Sequence, residues 1–376
     1  MTPTAVIDIG KTNAKVVLVD GAGREIAAHR RPNRTRPGPP YPHFDADALW
    51  DFVLDALRDL APRVGAIVPV THGACAALVT ADGALALPVM DYEHDPPDLR
   101  DGYRPPPFDQ TGSPPLPGGL NVGAQLHWLE RRHGTAFARA RHLLFWPQWW
   151  GFRLTGVAAS EVTSLGCHTD LWNPREAGPS ALAVARGWDR LMPPLRPAGA
   201  VLGPVAGPVA AATGLDPTTP VLTGIHDSNA SLLPYLARAP CCVLSTGTWI
   251  VAMALGTGAP RLDPARDMLL NVAADGRPVP TARFMGGRER DAALRAGRAP
   301  DAVEADIARR AAARLDALGA IGPIHVEGPF AASRAFRDAL ATATGRPVRA
   351  GGGGSGTTGG AALLAAAARA QGGATR

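Results

Sequence analysis

Residues Asp8 to Asp20 read DIGKTNAKVVLVD and hold both lysines of the protein, Lys11 and Lys15; every other long-chain cation is arginine. Lysine is a compact, mobile point charge that suits phosphate oxygens, whereas arginine is a planar fork. Lys11 lies in the glycine turn itself, where backbone N–H groups and an ammonium can converge on a phosphate. Lys15 falls on the strand that follows, where a solvated edge position also suits lysine. Lys11 is therefore ranked above Lys15 as a phosphate contact. A second candidate is GIHDSN, Gly224 to Asn229. Asp227 stands where a strand gives way to a helix. A carboxylate there can align a hydroxyl and accept its proton, and a helix N-terminus favours its ionised form. Asp and Ser are also ordinary N-caps, and this stretch alone favours the cap. Thr71-His72-Gly73 closes a strand with a glycine that lets backbone approach a ligand.

The elements that must position these residues follow from periodicity. AVIDI, AKVVLVD and REIAAHR read as three strands, with Gly10 and Asp20 to Gly23 as turns. GKT is not a Walker A loop, because that motif needs an earlier glycine and must open a helix. Asp45 to Ala61 carries Leu49, Phe52, Val53, Leu57 and Leu60 at helical spacing, with Asp45 as cap. Gly65 to Val79 reads strand, loop, strand. Asp95 to Gly119 is loop, and Asn121 to Arg132 an amphipathic helix. Pro220 to Leu236 reads as an apolar strand, a turn at His226-Asp227, and a helix.

Cys242 to Leu255, CVLSTGTWIVAMAL, then repeats the opening pattern of strand, small glycine turn and strand. Two such hairpins suggest two related domains meeting at a cleft. A further hairpin spans Asn271 to Met285, a helix Asp301 to Leu318, and a strand Pro323 to Gly328 leads into a loop and helix. The run Gly351 to Gly354 reads as a turn before a final Ala-rich helix.

At 376 residues, with 46% apolar content, the chain suits two domains with full cores. The formal charge is +5, but the arginines are scattered among acids with no basic run interleaved with aromatics, which argues against nucleic-acid binding. Cys75, Cys167, Cys241 and Cys242 lack zinc spacing and read as buried thiols of a reducing compartment. MTPTAVIDIG has no cationic leader, and no apolar run would cross a membrane. A soluble, cytoplasmic protein is expected, with a homodimer compatible with the sequence.

In order, DIGKTN, GIHDSNAS, STGTW and VEGPFAAS with a later TTGGAALLA resemble the FGGY family of carbohydrate kinases, within the actin-like phosphotransferases, over nearly the whole chain. The resemblance implies an α/β fold of two ribonuclease-H-like domains flanking a cleft: 1–239 for sugar and 240–376 for nucleotide. It implies Asp227 as general base, with His226 and Ser228 touching the sugar and His72 and Gly73 flooring its pocket. Gly10, Lys11, Thr12, Asn13 and Lys15 would form one phosphate loop, Thr246, Gly247 and Thr248 another, and Gly328 would hold the adenosine. Asp8 would lie near the metal. ATP and Mg2+ are the implied cofactors and a small sugar the implied substrate. The His-Asp pair and the STGTW stretch look most like kinases of ketoses such as L-rhamnulose and L-fuculose. Lys11 departs from the small or hydroxyl residue of many relatives. The chain is also short for the family, with the loss expected between Glu289 and Ile324. A polyol kinase and a non-catalytic actin-like sensor are the alternatives.

Overall fold

Apolar Ala5, Ile7 and Ile9 alternate with Val6 and Asp8 and are followed by Gly10, so the chain runs extended and then reverses. The computed structural model, which describes residues 2–258, 260–351 and 356–373, shows this as strand β1 (Thr4–Ile9) antiparallel to β2 (Asn13–Val19). β3 (Glu25–Pro32) extends the sheet beyond β2, and β4 (Ile67–Thr71) runs parallel beside β1. β5 (Val201–Pro204), β6 (Pro220–Leu222) and β7 (Ile225–His226) complete it, in the order β5-β6-β4-β1-β2-β3 with β7 also on β4.

The single strand expected after Pro220 is thus two. Gly224, at φ +85°, interrupts it, and both pieces pair with β4. The helix expected beyond Asp227 is also two separate turns, Asp227–Ala230 and Leu233–Leu236. Pro234 lacks the N–H that a continuous helix would need there.

The second sheet contains β8 (Cys241–Thr246), β9 (Ile250–Leu255), β10 (Met268–Val272), β11 (Pro278–Phe284), β12 (Ile324–Glu327) and β13 (Val348–Ala350). Its order is β10-β11-β9-β8-β12-β13. β8 occupies the place that β1 holds in the first sheet. Each pairs antiparallel with the next strand across a glycine turn, and parallel with a strand from much later in the chain.

Helix α1 (Ala46–Leu60) packs Leu49, Val53 and Leu57 onto the first sheet, and the Asp45 side chain caps it by accepting from the Ala48 N–H. α2 (Gly286–Arg295) has no clear apolar stripe and was not expected from the sequence. α3 (Pro300–Ala317) and α4 (Arg334–Thr344) cover one face of the second sheet. There Val303, Ile307, Ala311 and Leu315 meet Leu244, Ala252 and Phe284, and each large side chain so buried contributes roughly 1.5–3 kcal/mol. The last helix, α5 (Gly356–Gly373), crosses back to the first sheet, placing Ala361, Ala362 and Leu364 against Val6, Val17 and Val68. The glycine run expected to form a turn lies, past Gly351, outside the described residues.

Strand alternation then decides what the cleft sees. In β8, β9 and β11, Leu244, Ala252, Ala282 and Phe284 point under the helices. Their neighbours Ser245, Val251, Thr281 and Arg283 face the other way, toward the loops at the ends of β4 and β7. Of this second face, Val243 and Met253 are partly covered by Leu232 and Tyr235.

Candidate active site

Between the two sheets lies a cavity of about 560 Å³. His72, Gly73, Tyr92, Cys167, His168, His226, Asp227 and Ser228 line one wall. The other is formed by Ser245, Val251, Leu269, Asn271, Thr281, Arg283, Glu327 and Gly328. The sequence-predicted sugar residues therefore come together, and Gly328 joins them from the opposite wall.

β7 ends at His226, and Asp227 begins the turn beyond it, its side chain about a third exposed. Its described hydrogen bonds all fall on Oδ1: the Ser228 N–H at 2.5 Å and the Ser228 hydroxyl at 3.2 Å donate to it, and His226 Nε2 lies 3.3 Å away. Oδ2 has no described hydrogen bond, and the residue lines the cavity. Burial lifts the Asp227 pKa above the usual aspartate range, opposed by His72 and by the Ser228 donors. The short helix therefore does less for ionisation than the sequence reading expected, and desolvation makes this carboxylate a stronger base.

His226 is neutral, its pKa pushed down to about 4 by burial. The Asn229 amide donates to Nδ1 at 3.3 Å, which leaves the ring proton on Nε2, facing Asp227 Oδ1 and, at 3.7 Å, Cys167 Sγ. The backbone N–H of His226 donates to Thr163 Oγ1, and that hydroxyl donates to the fully buried Glu161. Burial pushes the Glu161 carboxyl up to about 7. Gly73 has a packing reason to be glycine, since a Cβ there would sit 2.8 Å from His226 Nε2. His72 donates from Nδ1 to the Gly73 carbonyl at 2.9 Å, and its buried Nε2 has no partner. Burial holds His72 and His168 at about 4 as well. The Cys167 thiol is pushed up to about 12 by burial and stays protonated.

The two glycine turns differ. In the first, the Gly10 N–H donates to the Asn13 carbonyl at 2.9 Å, the Asn33 amide donates to the Gly10 carbonyl, and Thr12 and Asn13 are exposed. Lys11 turns away to Asp91, with Glu93 at 3.3 Å, and lies over the rings of Phe44 and Tyr92. Lys15 instead pairs with Asp8 at 3.1 Å. Asp8 is buried, its pKa raised by desolvation against the pull of Lys15, and it feels the charge of Asp227. Of the two cations, Lys15 is the one paired with Asp8.

The second turn is held by two close backbone approaches. A Cβ on Gly287 would lie 1.8 Å from the Gly247 carbonyl oxygen, and one on Gly328, at φ +82°, 1.9 Å from that of Thr246. The Thr246 hydroxyl is occupied internally, donating to the Glu327 carbonyl and accepting from the Phe330 N–H. Thr248 is exposed and opens into a hollow of about 240 Å³ lined by Gly287, Arg290, Glu304 and Phe330. Beyond it runs a wider groove along Pro300, Pro329, Ser333 and Asp338. A turn approached on two sides by glycines that admit no Cβ, Gly287 and Gly328, and opening into an elongated hollow, fits a phosphate chain followed by a nucleoside. No group of three metal-ligating side chains occurs among the described residues.

Other polar residues from the sequence have structural work. The Asn121 carbonyl oxygen accepts from the Leu116 N–H and its amide donates to Asp170, while Gln125 donates to the Ala74 carbonyl. Trp149 and Trp150 are buried with Trp146 in the first core. His168, Asn271, Thr281 and Arg283 were missed. The signal available for the last three was alternation, with polar residues recurring on one face of two apolar strands.

Comparison with known proteins agrees with this geometry. Residues 109–234 match the N-terminal domain of the FGGY family of carbohydrate kinases, and 238–314 and 302–373 match its C-terminal domain. The structure of a carbohydrate kinase from Novosphingobium aromaticivorans superposes with a TM-score of 0.90 at 37% identity, covering 97% of this chain and 94% of that one. The chain belongs to the FGGY family, and its fold is the two-domain, actin-like arrangement of ribonuclease-H-like units. Among curated relatives, L-fuculokinase of Salmonella typhi is 28% identical over 66% of this chain and 55% of its own length. Rhamnulokinase of Bacteroides thetaiotaomicron is 25% identical over 74% and 60%. The chain spans about half the length of the curated relatives it matches. A xylulose kinase from Rhodospirillum rubrum shares the fold, with a TM-score of 0.79 at 20% identity, covering 97% of this chain and 90% of that one.

Proposed function

We propose that the protein is an ATP-dependent, magnesium-requiring kinase that phosphorylates a hydroxyl of a small ketose of the L-fuculose or L-rhamnulose kind. The observation that carries this reading is Asp227, a carboxylate raised in pKa by desolvation, held at Oδ1 and lining the cavity opposite Ser245 and Gly328. Phosphoryl transfer asks for positioning and charge neutralisation more than for covalent help. Asp227 Oδ2 accepts the hydroxyl proton as the new bond forms. The Ser228 N–H and the His226 ring N–H hold Oδ1, so the carboxylate does not rotate away. His72 Nε2, a bare acceptor, takes a second sugar hydroxyl.

The turn at Thr246, Gly247 and Thr248 receives the phosphates and Gly328 the adenosine side. Gly10, Thr12, Asn13 and Lys15 supply the first phosphate loop, and Asp8 the metal side. Magnesium, when bound, neutralises phosphate oxygens. In this reading residues 1–239 form the sugar domain and 240–376 the nucleotide domain. The test is ADP release with ATP, magnesium and a panel of sugars. Ketose-dependent turnover supports the proposal. Preference for glycerol or xylitol would make it a polyol kinase, and ligand binding with no turnover would make it a sensor.

A further inference from the structure

The cavity wall supplied by the second sheet carries polar atoms that the protein leaves unmatched. Asn271 donates its amide to Thr281 Oγ1 at 3.2 Å, and that hydroxyl donates to the Val279 carbonyl at 3.0 Å. The chain of donors fixes the amide, so Oδ1 is the free end, and this buried oxygen has no partner. Arg283 lies on the same face. Its Nε is buried and makes no hydrogen bond; the nearest carboxylate, Asp267, is 3.8 Å away. The guanidinium is steadied by the Trp249 ring at 5.2 Å, and its charge reaches Cys167 and His168 on the opposite wall. It is the only Lys or Arg among the residues that line the cavity. The third unmatched atom, the buried His72 Nε2, belongs to a residue of the first wall. Buried polar atoms without partners are costly, and so many in one cavity imply a ligand that satisfies them.

We propose that Asn271 and Arg283, on the nucleotide-side sheet, are specificity-determining contacts for the acceptor, and that the acceptor is a polyhydroxylated chain bearing a planar carbonyl-type oxygen. Asn271 Oδ1 accepts from one hydroxyl and His72 Nε2 from another. The planar fork of Arg283 donates to the carbonyl-type oxygen, which is its preferred partner geometry. Two sources share that chemistry: the keto group of a ketose and the carboxylate of an aldonate. This rests on the cavity being the acceptor site, as proposed above.

The experiment measures calorimetric affinity for a ketose and for an aldonate without nucleotide, and separately for ATP, in the parent, Asn271→Leu, Arg283→Gln and Arg283→Lys. Steady-state kinetics on the same proteins follow. The expected result is a loss of tenfold or more in affinity for the preferred class in Asn271→Leu and Arg283→Gln. Arg283→Lys should be intermediate, because it keeps the charge but not the fork. ATP affinity should stay within twofold. The class that suffers more in Arg283→Gln identifies which oxygen the fork holds. Unchanged sugar affinity in the variants, an equal loss for ATP, or a parent that binds neither class would overturn the proposal. If the parent binds but phosphorylates nothing, the kinase reading fails, and the ranking of affinities still decides the role of this wall. Should Arg283→Gln unfold, Arg283→Lys and Asn271→Leu carry the same test.

Discussion

The two hairpins, β1–β2 and β8–β9, are the same device put to different chemistry. Each is a glycine turn between antiparallel strands, with a parallel strand alongside that begins far downstream. What differs is how the turn is held. The first is closed on itself, Gly10 against its own Asn13 carbonyl, and its neighbourhood carries ionisable groups: Asp8, Lys11 and Lys15 on the hairpin, and His72, His226 and Asp227 at the ends of β4 and β7. The second carries hydroxyls and is pinned by Gly287 and Gly328 at distances that exclude any side chain. In the proposed function, one half adjusts protons and the other shapes backbone around an anion. Breaking each half should therefore give a different failure.

The largest effect is expected at Asp227. Asp227→Asn keeps the size of the side chain and an acceptor for the Ser228 N–H, while removing the basicity. We expect kcat to fall on the order of 10²–10⁴-fold, with ATP affinity nearly unchanged and the thermal midpoint held or slightly raised, since a desolvated charge has gone. Parent-like kcat in a folded variant would sink the mechanism. If the variant unfolds, the residue was structural.

The second test sets the two turns against each other. Gly287→Ala or Gly328→Ala must displace backbone at the second turn, so each should cost about 1–3 kcal/mol, as overpacking does, and weaken ATP binding. Gly10→Ala meets only the Asn13 carbonyl, at 3.0 Å, and should cost less on both counts. Urea unfolding and ATP titration of the three variants decide it. Equal losses at the two turns would erase the distinction.

The third concerns protons. His72, His168 and His226 are held near 4 by burial, against 6.5 for a free imidazole. Their neutral forms belong to the fold, so their contribution to stability is complete above about pH 6.5 and is lost as the pH falls toward 4. The wall from the second sheet has no histidine among its lining residues. His168→Asn is a mild probe, because His168 has φ +43° and asparagine tolerates that region. The variant should lose less stability between pH 7 and pH 5 than the parent, measured by urea midpoint. An unaltered pH dependence would show that His168 is not a source of it.

How much of this was legible in the sequence follows from what alternation can say. The hairpins were readable because apolar alternation flanks a glycine turn twice, and Asp227 because it sits at a strand end between His and Ser. The break at Gly224 was not, because five residues of strand, read one by one, do not show a kink that pairing with β4 reveals. α2 hides because GGRERDAALR opens on two glycines, which are poor helix formers, and has no apolar stripe. β13 is too short to stand out. Asn271 and Arg283 were hidden for a different reason. Periodicity separates the two faces of a strand but does not say which face meets helices and which meets a cleft.

The smallest and most discriminating test returns to the two lysines. The sequence ranks Lys11 first for phosphate, since it stands in the turn. Its contacts favour the opposite ranking. Lys11 is enclosed by Asp91, Glu93 and two aromatic rings, so its removal leaves Asp91, a buried acid whose pKa is lowered in spite of desolvation, without its cation and with only the Glu93 N–H and Thr35 as donors. Lys11→Ala should therefore act on stability, at roughly the 1–3 kcal/mol typical of an orphaned buried group. Lys15 touches only Asp8 among the described ion pairs, and Asp8 in turn feels the charge of Asp227. Lys15→Ala should leave the thermal midpoint nearly where it was and raise the KM for ATP severalfold. Thermal unfolding and ATP kinetics on both variants separate the cases. If Lys11→Ala instead unfolds at the parent's temperature with impaired ATP use, and Lys15→Ala behaves as parent, the cation serving phosphate is the one in the turn. The pairing with Asp91 would then be a resting contact that ATP displaces.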